Sequence, residues 1–278
     1  MKLLSFEWQG RRTWGSFDGE KILDLGAALP AISSLRDLFE QDALGQVEIA
    51  ARTAPERLLA SVSLLPVIPD PRKIVCCGLN YDEHRVESHN PVLGHPTLFV
   101  RWPDTQVAHG ADIAHPPETA MLDYEAELAV VIGRGGRHIA VADAMAHVAG
   151  FACYNDISAR DWQKHSSQMT PGKNFPGTGP FGPWLVTPDE VGELAPLRIQ
   201  GRLNGEIVQD AKLGDMIFDV PALIAYISTF TELSAGDVIL TGTPGGVGFR
   251  RQPQLFLKAG DLVEVEIERV GLLTNRIV

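Results

Sequence analysis

Residues 121–133 read MLDYEAELAVVIG and set carboxylates at alternate positions, Asp123, Glu125 and Glu127, on the lip of a β-branched apolar run. Side chains at i and i+2 of a strand leave the same face, so Glu125 and Glu127 share one side while Ala126 and Leu128 take the other. Carboxylates crowded against a buried strand repel one another. They must be protonated, paired with cations or neutralised by a metal ion. A third partner is Asp156, which ends another apolar run, GFACYND. An all-oxygen set without HExxH, CxxC or a close histidine pair suits a hard divalent ion such as Mg²⁺, Mn²⁺ or Ca²⁺ rather than zinc. The plainer alternative is a solvated strand face whose acids pair with arginines, because ExE alone is a common pattern.

Three further segments carry chemistry-bearing residues. In IVCCGLNYDEHRVE, residues 74–87, His84 and Glu87 stand three apart, which on a helical turn sets an imidazole beside a carboxylate. Such a pair activates water, the Glu orienting the ring and the His taking the proton; an ordinary exposed helix pair is the alternative. NDISARDWQ, residues 155–163, follows Asp156 with Arg160 and Gln163 at helical neighbour spacing. TGTPGGVG, residues 241–248, is a glycine-rich turn that lets backbone amides approach a ligand, yet it lacks the Lys and Ser/Thr of a phosphate loop. GTGPFG at 177–182 satisfies GxGxxG, but it contains Pro180 and runs into the strand-like WLVT where a helix should begin. No GxSxG elbow is present, which disfavours a serine hydrolase.

The elements that must position these residues are mostly short β-branched runs. They stand at IVCCGL, TLFVRW, LAVVIG, GFACYN, WLVT, LRIQGRL, DVILTG and LVEVEIERV, with a hairpin turn at LNGE, residues 203–206. The first 25 residues alternate like a small antiparallel meander. Helices are expected near Leu35–Phe39, Glu48–Ser61, Ala142–Val148 and Val220–Phe230, the last with Asp219 as N-cap and Pro221 in its first turn. Prolines 66, 69 and 71 mark a boundary near residue 70. A small N-terminal α/β domain over 1–70 and a larger, mainly antiparallel β domain over 71–278 follow from this, an α+β chain.

Composition excludes some partners. With 24 Lys plus Arg against 35 Asp plus Glu in 278 residues, the formal net charge of −11 has the wrong sign for a nucleic-acid backbone. No apolar run approaches the length of a membrane span, and the N-terminus lacks a signal-peptide pattern. The three cysteines form no CxxC pair and fit a reducing compartment, so a soluble, cytoplasmic protein is expected.

In combination, GLNYDEHRVE, HPTLFVRW, LDYEAELAVVIGR, NDISARDWQ, GKNFPGTGPFGPWLVT, TGTPGGVG and GDLVEVEIERVGLLTN resemble the fumarylacetoacetate hydrolase family, in order from about residue 74 to the C-terminus. The resemblance implies a mixed β-sheet roll, a homodimer, and Mg²⁺ or Mn²⁺ on Glu125, Glu127 and Asp156. It casts His84 and Glu87 as the water-activating pair on a mobile lid and Lys173 as a cationic contact to substrate. Arg160, Gln163 and Thr243 match further substrate contacts. The implied activity is metal-assisted chemistry on a small anionic 2-oxo acid, first of all carbon–carbon hydrolysis of an acylpyruvate- or fumarylpyruvate-like substrate. The alternative is isomerisation or decarboxylation of a 2-hydroxymuconate-type diacid in aromatic catabolism, such as 5-carboxymethyl-2-hydroxymuconate or 2-hydroxyhepta-2,4-diene-1,7-dioate. Three departures from the family pattern, Glu83 with Asp82 beside it, Arg101 with Trp102, and the segment HNPVLG, are expected to flank the substrate mouth.

Overall fold

In the computed structural model, which describes residues 1–87 and 94–278, the β-branched runs assemble into one large mixed sheet and a smaller five-stranded one. Most of HNPVLG lies outside the described residues. At the middle of the large sheet runs Ala126–Ile132, paired antiparallel with Val148–Asn155 on one side and with Val238–Leu240 on the other. Val238–Leu240 in turn pairs in parallel with Ile74–Gly78, whose far neighbour is the edge strand Thr97–Arg101.

Every residue of Ala126–Ile132 is buried, as expected for a strand covered on both faces. Leu128, Val130 and Ile132 face a core shared with Phe151, Val265, Leu273 and Ile224 of the helix Val220–Phe230. Ala129 and Val131 face the opposite core, built with Trp14, Leu35, Leu38 and Phe181. Glu127 has the parity of Ala129 and Val131, so one acid interrupts an otherwise apolar row.

The N-terminal meander forms as read, with strands Lys2–Trp8, Arg11–Phe17 and Lys21–Leu23. Its first strand pairs with Gly179–Val186, so residues of the first 70 extend the large sheet and share the second core. The helix Val220–Phe230 has Asp219 as its N-cap, the carboxylate accepting from the Ala222 N–H. Two helical expectations are corrected. The stretch Glu48–Ser61 yields only the short helix Val47–Ala51, then the strand Glu56–Leu58 and a 3₁₀ turn, because Pro55 removes an amide donor and bars helix at the residue before it. The segment Val141–His147 is 3₁₀ rather than α.

Candidate active site

Local pairing explains how the acids meet. Ala126 stands opposite Asn155 in the central antiparallel ladder, so the next residues outward, Glu125 and Asp156, are neighbours at the same sheet margin. The Asp156 N–H donates to the Glu125 carbonyl at 2.9 Å, and the Asn155 side chain accepts from the Glu125 N–H at 2.9 Å. Oxygens of Glu125, Glu127 and Asp156 lie within 4.8 Å of one another, and all three residues are buried.

The third acid of the opening motif goes elsewhere. Asp123 is fully buried and accepts from the N–H groups of Gly248 and Phe249, at 2.8 and 3.0 Å, and from Arg160 Nε at 2.8 Å. It ties the glycine-rich turn to the helix Arg160–Gln163 and stands outside the cluster. Gly248 is required there: a Cβ would come within 1.8 Å of the Leu255 carbonyl oxygen.

Cations fill the floor of the site. Lys173 Nζ reaches Glu125 at 2.7 Å and Asp156 at 2.6 Å, and Arg160 Nη2 lies 2.7 Å from Glu125. Arg101, assigned from the sequence to the substrate mouth, is instead buried behind Asp156, where it also donates to Ile157 O and Thr178 Oγ1. Only its neighbour Trp102 is exposed. Arginines therefore do cap three of the acids, Asp123, Glu125 and Asp156, yet four buried carboxylates face only three buried bases.

Glu127 is the acid left over. Its Oε2 accepts from the Gly242 N–H at 2.9 Å, and among the described residues no Lys or Arg comes within ion-pair distance. Burial, then the charges of Asp156 and Glu125, push its carboxyl well above the ordinary value of 4.5, and Lys173 offsets this only in part. Glu125 shows the opposite balance. Burial pushes it up, but Lys173 and Arg160 outweigh burial and hold it at about 2. Three hard oxygen donors drawn together, one of them without a compensating cation, fit a divalent ion. Glu125, Glu127 and Asp156 would hold it.

A pH dependence follows, with its sign. In the metal-free protein Glu127 has a raised folded pKa, so its stabilising contribution is complete below 4.5 and is lost as pH rises through the folded value. A cation needs the ionised form. The rise in melting temperature given by Mn²⁺ is therefore expected to grow from about pH 5 to about pH 8 in thermal scans. A constant or falling increment would contradict the assignment.

The second wall is the helix Asp82–Glu87. His84 Nδ1 lies 2.7 Å from Glu87 Oε1, and the other oxygen of Glu87 accepts from the Gly246 N–H at 3.1 Å. A carboxylate at Nδ1 fixes the proton there and leaves Nε2 basic. The start of this helix is anchored by Asn80, unnoticed in the sequence, whose amide donates to Thr241 O and Phe218 O at 2.7 and 2.8 Å. Gln209 was also missed. It sits mid-strand with no motif about it, accepts from the Ala126 N–H at 2.9 Å and donates to Thr243 Oγ1 at 2.7 Å. With that oxygen already accepting, the Thr243 hydroxyl hydrogen remains available to a ligand.

A cavity of about 230 Å³ brings His84, Glu125, Glu127, Lys173, Gln163 and Thr243 together, with Arg160 also on its wall. Asp156 and Glu87 act from just behind the lining, through Lys173 and His84. The volume falls below the usual range for drug-sized ligands and suits a small acid.

Comparison with known proteins identifies the family. Residues 73–278 match the family described as Fumarylacetoacetate (FAA) hydrolase C-terminal. The chain belongs to the fumarylacetoacetate hydrolase family. Among its relatives are the human protein named oxaloacetate tautomerase FAHD2A, mitochondrial, 40% identical over 94% of this chain and 85% of that one. Another is oxaloacetate tautomerase YisK of Bacillus subtilis, 43% identical over 94% of both chains. A fumarylacetoacetate hydrolase from Exiguobacterium antarcticum matches with TM-score 0.90 at 35% identity, covering 100% of this chain and 99% of that one. The maleylpyruvate hydrolase of Sphingobium sp. SYK-6, solved with manganese(II) and pyruvate, matches with TM-score 0.83 at 27% identity over 100% and 99% of the two chains. Family membership makes this chain one of a group of enzymes that includes tautomerases and hydrolases. The expected cytoplasmic location is not supported by the human relative, which is named mitochondrial; among the described residues no helix is long and apolar enough to cross a membrane.

Proposed function

We propose that this protein interconverts the keto and enol forms of a small 2-oxo acid, with oxaloacetate as the leading substrate. The observation that carries the reading is His84, backed by Glu87 at 2.7 Å, lining one small cavity with Glu125 and Glu127 of the buried carboxylate set. The names of the relatives at 40% and 43% identity support the substrate. Glu125, Glu127 and Asp156 would hold a divalent cation, which when bound would supply positive charge that makes the hydrogens on C3 of a 2-oxo acid more acidic.

The chain's own groups carry the proton. Glu87 accepts from Nδ1–H, and Nε2 of His84 takes the C3 hydrogen as a proton. The proton taken up at Nε2 is handed on to the C2 oxygen of the enolate, which returns the imidazole to its starting form, so nothing is gained or lost overall. The Thr243 hydroxyl donates to a substrate oxygen, while Lys173 and Arg160 place positive charge beside the developing negative charge. The buried walls keep water from competing for these contacts.

Hydrolysis of an acylpyruvate is the second reading, and the same His84–Glu87 pair favours it. There Nε2 would take its proton from water instead of carbon. The decisive measurement follows the ultraviolet absorbance of the oxaloacetate enol in the presence of Mn²⁺. Equilibration faster than the metal-containing buffer by about 10²-fold or more is expected, the scale of positioned acid–base catalysis. Pyruvate released from fumarylpyruvate or acetylpyruvate, without faster enol equilibration, would decide for hydrolysis.

A further inference from the structure

The bases around the cavity fall into two groups. On the floor each is matched: Arg101 and Lys173 hold Asp156, Lys173 and Arg160 hold Glu125, and Arg160 also holds Asp123. A second substrate carboxylate placed there would meet four acids. The mouth of the cavity holds a further base, Lys164. Lys164 directly follows the helix Arg160–Gln163 and lines the cavity together with Phe249 and Arg250. Its ammonium lies 3.7 Å from the centre of the Phe249 ring, and the Arg250 guanidinium carbon lies 4.9 Å from the same ring. Among the described residues no carboxylate comes within ion-pair distance of Lys164.

This is an arrangement of like charges around one aromatic ring. The ring face attracts a cation but does not neutralise it. Burial, then the positive charges of Arg250 and Arg160, push the Lys164 ammonium below its ordinary pKa. An incoming anion would relieve that repulsion. The seat is also fixed in place: the Phe249 N–H donates to Asp123, the residue that orients Arg160 on the floor. One buried acid thus holds both ends of the cavity in register.

We propose that Lys164, seated on Phe249 beside Arg250, receives the distal carboxylate of the substrate, and so selects 2-oxo dicarboxylates over monocarboxylates of equal length. The inference rests on the reading that the 2-oxo end of the substrate binds at the carboxylate floor. It makes Lys164 a specificity residue remote from the reacting carbon.

The test is calorimetric binding to the full chain loaded with Mn²⁺. The ligands are oxaloacetate and 2-oxobutyrate, which have the same number of carbons and differ in a terminal carboxylate against a methyl group. Lys164→Met is expected to weaken oxaloacetate about 10-fold or more, on the scale of one charge-assisted contact, while 2-oxobutyrate stays within about 2-fold. Lys164→Arg should retain the preference, and Phe249→Leu should reduce it by removing the seat. Wild-type Mn²⁺ affinity in each variant shows that the fold is kept. Equal weakening of both ligands by Lys164→Met, or of neither, overturns the proposal. Because the preference is read from affinities and not from rates, the outcomes separate. A protein that prefers oxaloacetate through Lys164 but does not interconvert its tautomers keeps this site and loses the proposed reaction. One that interconverts them with no Lys164-dependent preference does the reverse.

Discussion

Glu127→Gln abolishes tight binding of a divalent cation and leaves the metal-free fold intact or firmer. The two effects have one cause. Glu127 is buried beside Asp156 and Glu125 and has a single hydrogen-bond donor, the Gly242 amide. A glutamine keeps the shape and an oxygen to accept from Gly242, and it removes a latent charge from a dry site. Gly242 cannot adjust to any larger change: its φ is +97°, and a Cβ would stand 2.8 Å from the Cys77 carbonyl oxygen. Outer residues around a metal typically cost 10- to 100-fold in affinity when changed, so loss of a direct ligand should exceed about 100-fold in a Mn²⁺ titration. In the wild type without metal, the contribution of neutral Glu127 is lost as pH rises above the ordinary carboxylate range. The variant escapes that loss, so melting curves of the two metal-free proteins should separate progressively on the alkaline side. Wild-type Mn²⁺ affinity in the variant would remove these carboxylates as the metal site.

Much of this site was written locally. Alternation in DYEAE fixes which acids leave the same face of a strand, and two apolar runs that end in acids become neighbours once they pair antiparallel, as Ala126 opposite Asn155 does. The hairpin LNGE was legible for a similar reason, since Asn204 and Gly205 supply the two positive φ values, 53° and 84°, that a tight turn demands. What could not be read is set by contacts between distant segments. Nothing near Arg101 says that its guanidinium ends under Asp156, 55 residues away, rather than at a substrate mouth. Asp123 obeys the same alternation as Glu125 and Glu127, yet the amides of Gly248 and Phe249 claim it from across the chain. Gln209 and Asn80 are buried braces whose partners lie 34 to 161 residues away. Lys164 had a faint signal, a base directly after RDWQ, but its significance depends on Phe249 arriving from the glycine-rich turn. The long helix expected over Glu48–Ser61 failed for a local reason that was visible, Pro55.

His84→Asn is expected to lower kcat for enol interconversion by about 10²- to 10⁴-fold, the usual contribution of a positioned general base, with Mn²⁺ affinity unchanged. Glu87→Gln should cost less, about 10-fold. Its amide oxygen can still accept from Nδ1–H of His84, but the amide NH₂ then faces the Gly246 N–H where a carboxylate oxygen had accepted at 3.1 Å. Position is weakened in that variant and the base itself is kept. The two readings of the chemistry diverge at this residue pair. If His84 takes its proton from carbon, the wild-type protein exchanges the C3 hydrogens of a bound 2-oxo acid with D₂O, and proton NMR should show that exchange vanishing in His84→Asn. If it takes its proton from water, carbon exchange has no need of His84 and survives the substitution. Exchange by His84→Asn at the wild-type rate would therefore sink the tautomerase mechanism while sparing the metal site. The two can be tested apart because Glu125, Glu127 and Asp156 stand at the margin of the central sheet, whereas His84 and Glu87 belong to a separate short helix, bonded to the glycine-rich turn through the Gly246 amide.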